Sequence, residues 1–213
     1  MFRNVVLFKW RQGTTQHEIG AMHRRTELLV AQCPTVLALE VADDIGTADT
    51  NHNLAVTIDF DDEAGWLAYH YSEPHLTSAA KNASMSEPGG MARLRHDHQG
   101  RPGHDAGCPI RHIALYRWTE GTTRDTRQAV LGNVRTIGTS HPAIKQLRIS
   151  EGRKGRPEYD GDFDWMIHAC FSDIDAYAAF QGSPTYTELQ REISRAANRS
   201  ATLHLGREII HRR

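Results

Sequence analysis

The chain repeats itself, and the repeat restricts what it can fold into. Arg3-Asn-Val-Val-Leu-Phe-Lys-Trp10 returns as Arg111-His-Ile-Ala-Leu-Tyr-Arg-Trp118, 108 residues further on. Gly13-Thr14-Thr15 matches Gly121-Thr122-Thr123 at the same offset, and Cys33-Pro34 falls on His141-Pro142. Beyond that the offset becomes 111, with Phe60 on Phe171, Ala68 on Ala179 and Ser72 on Ser183. The three extra residues belong to a longer Gly-, Pro- and charge-rich loop in the second half, Arg153 to Asp162. Residues 1–98 and 110–213 are thus two copies of one unit. The segment between them, 99–109, holds three glycines and two prolines and reads as a linker.

Each copy spells β-α-β-β-α-β. Val5 to Trp10 is a strand, broken at Gly13 to Thr15. Thr15 and Glu18 form a capping box for a helix to about Gln32, and Pro34 closes it. Thr35 to Val41 and Leu54 to Phe60 alternate as strands around a polar loop, Asp43 to Asn53. Asp61-Asp62-Glu63 opens a second helix that breaks near Pro74 and ends by Pro88-Gly89-Gly90, leaving Met91 to His96 as the fourth strand. The second copy gives strands 110–118, 144–149, 164–171 and 201–210, with helices from about Thr123 and Asp173. That order is the ferredoxin-like split unit, an antiparallel sheet with both helices on one face. Its other face is apolar and must be covered. The expectation is an α+β molecule in which two ferredoxin-like repeats face each other as an intramolecular dimeric α/β-barrel pseudo-dimer.

Composition narrows the function. Of 213 residues 39% are hydrophobic and 24% charged, and the net charge is −1, so nothing favours nucleic acid or an acidic membrane surface. The longest apolar runs are too short to cross a bilayer, and no basic-then-apolar leader precedes the first strand. A cytoplasmic protein is expected. Three cysteines are too few and too scattered for a disulfide framework or a CxxC site, and Cys170 reads as a small buried hydrophobe. Thirteen histidines are spread out with no HExxH pattern. The nearest approach to a metal site, His96, His98 and His104 with Asp97 and Asp105, sits at a strand end and linker and reads as solvated loop. No metal and no cofactor are expected.

The opening strand and its Gly-Thr-Thr, together with Leu54 to Ala64 and Trp66-Leu-Ala-Tyr-His-Tyr-Ser-Glu-Pro-His75, resemble the stress-responsive α/β-barrel family, the dimeric A/B barrel (Dabb) domains. The resemblance runs over nearly the whole chain, twice. It implies the barrel fold. Functionally it implies polyketide cyclases of the olivetolic acid cyclase type, lyases or cofactor-free oxygenases, since one fold hosts many chemistries.

On that resemblance His75 stands at the final histidine of the family's His-Pro-x-His signature, the base of the polyketide cyclases, while Ser72 replaces its first histidine. Tyr69 stands where those cyclases carry a tyrosine that binds and polarises substrate. A neutral imidazole can take a proton from a carbon next to a carbonyl, and a phenol can donate to the resulting oxyanion. The alternative for His75 is a helix-start residue with no chemistry. The second copy has Phe180 and Tyr186 at these places, so the halves are not equivalent. Tyr186 is either a substrate donor or packing.

Strand parity puts Asn4, Val6 and Phe8 on one face of the first copy, which the resemblance implies is the pocket face, with Val56 beside them. His112 takes the Asn4 position in the second copy, as a pocket histidine or a strand-end one. Trp165 replaces a pocket histidine of the cyclases and either walls an aromatic ligand or fills the core. His168 has the other parity and faces the second sheet. Trp10 and Trp118 share a packing task, and packing is also the default for Trp66, Tyr69 and His70 on one helix face. Three readings follow: a cofactor-independent cyclase or lyase with His75 as base, a cofactor-independent oxygenase of phenols or anthrones, and a non-enzymatic small-molecule binder. The expected partner is a small-molecule substrate, and further homodimerisation stays open.

Overall fold

The computed structural model describes residues 1–46, 51–103, 108–205 and 209–212. The first repeat runs β1 (Phe2–Trp10), α1 (Gln16–Ala31), β2 (Val36–Asp43), β3 (Leu54–Phe60), α2 (Glu63–His70), α3 (Glu73–Met85) and β4 (Ser86–Asp97). The second runs β5 (Ile110–Trp118), α4 (Arg124–Ser140), β6 (Ile144–Glu151), β7 (Trp165–Phe171), α5 (Ile174–Gln181), α6 (Pro184–Ser194) and β8 (Ala197–Leu205), and a last strand β9 (Ile209–Arg212) follows. The strand orders β4-β1-β3-β2 and β8-β5-β7-β6 are the same permutation, so both repeats have the ferredoxin-like topology.

The helix starts are coded identically in the two copies. Thr15 and Thr123 cap α1 and α4, Asp62 and Asp173 cap α2 and α5, and Ser72 and Ser183 cap α3 and α6. Each side-chain oxygen accepts an otherwise unpaired backbone N–H of the first turn. The Thr15–Glu18 box forms in both directions, with Glu18 N donating at 3.3 Å and Thr15 N at 2.8 Å.

Strand alternation divides each sheet between two partners. In β1, Phe2 and Phe8 pack under α1 to α3 with Met22, Leu29, Trp66 and Tyr69. Val5 and Leu7 point the other way, against Ile113, Leu115, Met166 and Leu203 of the second repeat. The molecule is therefore layered helix, sheet, sheet, helix, with three cores. Leu7 and Leu115 are fully buried where the sheets meet. The sheet-to-sheet layer also holds charge: Arg3 pairs with Asp59 at 2.6 Å, and Arg111, the repeat equivalent of Arg3, reaches across to Glu40 at 2.9 Å. His168 is buried there, next to Ile113 in the ladder.

Among the described residues the two ladders stay separate, and the facing sheets do not close into one continuous barrel. Their seams are stitched instead. The last strand leaves the second repeat and adds to the first sheet, with Val41 opposite Ile209. Asp44 and Leu205 form an isolated bridge. On the opposite edge Phe163 N donates to Arg93 O at 2.8 Å, and Arg153 N donates to Arg95 O at 2.6 Å.

Three expectations change. The fourth strand starts at Ser86 instead of Met91: Gly89 takes the left-handed turn, and a Cβ on Gly90 would sit 2.8 Å from the Lys9 carbonyl, so the Gly pair admits β1 alongside. The strand expected over 201–210 is two strands in two sheets, β8 and β9, and positions 206–208 between them lie outside the described residues. Cys170 is bonded to Cys108, with 5.7 Å between their Cα atoms, because the linker end runs beside the end of β7. His104 and Asp105 lie outside the described residues, as do 47–50 of the polar loop. His96 and His98 meet at 5.9 Å, and among the described residues no group of three metal-ligating side chains forms. No helix among the described residues is long and apolar enough to cross a membrane.

Candidate active site

Between the first sheet and its helices is a cavity of about 160 Å³. Its floor is Asn4, Val6 and Phe8 of β1 with Val56 and Ile58 of β3, and its roof is α2 and α3 with Tyr69, His70 and His75. The six first-repeat residues expected at a site, Asn4, Val6, Phe8, Val56, Tyr69 and His75, thus all line one space. A void of this size accommodates about one aromatic ring.

His75 is set by the start of α3. Ser72 Oγ caps that helix and accepts from His75 N at 3.3 Å, which puts the imidazole on the first turn beside the end of α2. Its Nδ1 lies 2.8 Å from the His70 carbonyl oxygen. A carbonyl can only accept, so Nδ1 carries the hydrogen, and in the neutral ring Nε2 carries the lone pair. Nε2 has no hydrogen-bond partner among the described residues. Burial depresses the pKa of His75, with the positive charge of Arg95 acting in the same direction and the His70 carbonyl opposing both. The imidazole is therefore unprotonated at neutral pH and presents an acceptor.

Tyr69 packs against that ring, centroid to centroid 4.6 Å, and against Phe60 at 5.2 Å. Burial raises its pKa, so its hydroxyl remains a donor at any physiological pH, and that hydroxyl has no hydrogen bond among the described residues. His70 stacks on Trp66 at 5.0 Å and lies 5.3 Å from His75. Partial burial, with His75 and Arg95 nearby, lowers its pKa to about 4.

Two functional-looking residues were not expected. Arg93 and Arg95 of β4 also line the cavity. Arg95 is 4% exposed and its guanidinium lies 4.6 Å over the Trp66 ring. Nε donates to Asn4 Oδ1 at 3.0 Å, and Nη1 donates to Asp162 Oδ2 at 2.8 Å and to the Glu158 carbonyl at 2.7 Å. Both of the latter come from the long loop of the second repeat. The same loop sets Tyr159 against Phe2 and Trp66, its hydroxyl on Glu63, while Tyr71 bonds Glu158. Met91, Arg93 and Arg95 alternate with the apolar Ala92 and Leu94. In a sheet buried on both faces, such charged positions can only line a hollow or pair.

In the second repeat, packed aromatic side chains occupy the equivalent positions. Trp165, which replaces Leu54, is fully buried and stacks on Tyr116 at 4.4 Å and on Trp118 at 5.1 Å. Tyr186 packs edge-on to Phe180 at 5.3 Å, and His112 stacks on Tyr177 at 6.0 Å. The structure therefore separates His112, Trp165 and Tyr186 from the first-repeat site. They occupy the core of their own half, because an indole fills space that leucine leaves open.

Fold and site together define a fused pair of ferredoxin-like units of the dimeric α/β-barrel type. Residues 110–203, in the second repeat, match the stress responsive A/B barrel domain. Among solved structures, an anthrone oxidase-like protein aligns over 99% of this chain and 92% of its own, at 9% identity and a TM-score of 0.73. A protein provisionally named a chlorite dismutase aligns over 98% and 94%, at 12% identity and a TM-score of 0.60. One from Fusobacterium nucleatum, provisionally named a monooxygenase, aligns over 100% and 94%, at 11% identity and a TM-score of 0.57. At these identities the likeness is one of fold. No curated protein matches the chain in sequence.

Proposed function

We propose that the first repeat is a cofactor-independent carbon–carbon bond enzyme, a cyclase or lyase acting on a polyketide-like or aromatic carbonyl compound. The observation that carries this reading is His75: its Nδ1 hydrogen is tied to the His70 carbonyl, its Nε2 has no hydrogen-bond partner among the described residues, and its ring lines the cavity packed against the ring of Tyr69. Nε2 takes a proton from the carbon α to a carbonyl, and Tyr69 donates to the enolate oxygen as charge develops there. The enolate carbon attacks a second carbonyl of the same molecule. The new alkoxide recovers the proton from the imidazolium, which closes an aldol ring, and the reverse sequence is a lyase reaction. A space of about one ring suits the product of such a closure.

The test is turnover of linear β-polyketones by wild type, His75→Ala and Tyr69→Phe. Loss of a general base is expected to lower the rate by about 10²–10⁴. Undiminished turnover by His75→Ala would rule the assignment out. A second reading, a cofactor-independent anthrone oxygenase, draws on the full-length likeness to the anthrone oxidase-like protein. There the same abstraction gives a carbanion that takes up oxygen and loses water to become a quinone. Oxygen consumption without added flavin or metal separates it from the first.

A further inference from the structure

We propose that the inner wall of the first-repeat cavity is a receptor for a carboxylate, so that the compound presented to His75 is an organic acid about one ring in size. The role of His75 rests on the function proposed above; the receptor itself does not.

Two donor groups stand together on this wall, Arg95 and the Asn4 amide. Arg95, which lines the cavity, has its Nε on Asn4 Oδ1 and its Nη1 on Asp162 and the Glu158 carbonyl, which leaves Nη2 with no partner among the described residues. Because Asn4 Oδ1 accepts from Arg95, the amide orientation is fixed, and the Asn4 NH₂ group is the remaining polar end on the same wall. A planar guanidinium edge beside a primary amide matches the two oxygens of a carboxylate.

Charge agrees with shape. Arg93 and Arg95 both line the cavity, and Asp162 is the carboxylate between them, 2.8 Å from Arg95 Nη1 and 3.7 Å from Arg93 Nε. Glu158 and Glu63 carry the outer charges of this region, where Glu158 bonds Tyr71 and Glu63 pairs with Arg153 and Arg156. Two arginines against one aspartate leave an unbalanced positive charge facing a space whose histidines are neutral. The Arg93 side chain is 38% exposed, so water answers part of its charge, whereas the Arg95 side chain is buried. If Arg95 served only to clamp the two repeats, its last nitrogen would be satisfied like the others. Held instead by Trp66 underneath and by the second repeat behind, it is immobilised before a ligand arrives and loses little freedom on binding.

The test is calorimetric titration of the whole chain with benzoate and two neutral counterparts of similar size, benzamide and methyl benzoate. Benzoate is expected to bind at least about tenfold more tightly than either, since only it forms charge-assisted bonds to Arg95. Asn4→Leu and Arg95→Met should each remove that preference. Equal binding of benzamide and benzoate by the wild type, or no benzoate binding at millimolar concentration, overturns the proposal even if Arg95→Met fails to fold. His75→Ala keeps the two ideas apart. It should retain the preference for benzoate, because His75 is the acceptor of the site and not its anion donor. Should it also retain turnover, the base assignment falls and the receptor stands; should the preference be missing in the wild type, the receptor falls whatever turnover does.

Discussion

At the scale of single residues, the proposed chemistry turns on which atom of a ring is left over. His75 Nδ1 is committed to the His70 carbonyl, so any work falls to Nε2. The pH dependence follows with a definite sign. Burial lowers the pKa of His75 below the ordinary histidine value near 6.5, so the lone pair is present at pH 7 and is lost only on acidification beyond the normal histidine range. The rate kcat/KM for a β-polyketone is expected to be level from about pH 7 upward and to fall on a limb centred below about 6.5. A limb centred above that value would place the base elsewhere. The resemblance to the A/B barrel family singled out Tyr69 and His75, and strand parity put Asn4, Val6 and Phe8 on one face; all five line one cavity. Arg95 was not legible. A charged residue in an alternating strand ordinarily marks the solvent face, and only a sheet buried on both sides turns that reading inward.

At the scale of elements, one loop makes the two repeats unequal. The segment between β6 and β7 appears in the sequence only as three extra residues and a cluster of Gly, Pro and charge. In the structure it lies against the other repeat, with Phe163 N on Arg93 O, Tyr159 on Trp66, and Asp162 on Arg95. The second repeat therefore braces one wall of the first repeat's cavity. Sequence could place the loop but not its target, since contacts between repeats leave no periodic trace. The consequence is testable at Asp162, whose side chain is 2% exposed. Asp162→Asn removes the counter-charge of a buried guanidinium, and breaking such a pair costs about 3–5 kcal/mol. Urea unfolding should show a loss of that order, far more than the 0–1 kcal/mol typical of exposed pairs such as Lys9–Glu87. A change within the surface range would mean that the loop does not hold Arg95 as described.

At the scale of the whole molecule, the two repeats share a core, and that core is not purely apolar. The repeat in the sequence implied sheet facing sheet, with Thr15 and Thr123, and Ser72 and Ser183, at matching positions. The swapped last strand and the disulfide had no sequence signal, because each joins positions whose nearness exists only after folding. Burial of His96 beside the sheet interface lowers its pKa to about 4, against about 6.5 unfolded. Between those values the unfolded chain binds a proton that the folded chain does not. Stability is therefore full above about pH 6.5 and declines by up to about 1.4 kcal/mol per pH unit toward pH 4 for this histidine. His96→Gln should flatten that decline in urea titrations at successive pH values, and an unchanged slope would remove His96 as the cause. The disulfide gives a separate handle. Cys108 and Cys170 are 62 residues apart, and opening a loop of that length costs on the order of 2–4 kcal/mol. Because the bond ties the linker end to β7, away from the cavity under α2 and α3, its loss should act on stability alone. A reductant, or Cys108→Ser, is expected to lower Tm by roughly 5–15 °C while leaving benzoate binding as it was. If reduction leaves Tm unmoved, the bond contributes nothing to the fold; if it abolishes benzoate binding in protein that is still folded, the two repeats are coupled through the linker as well as through the loop.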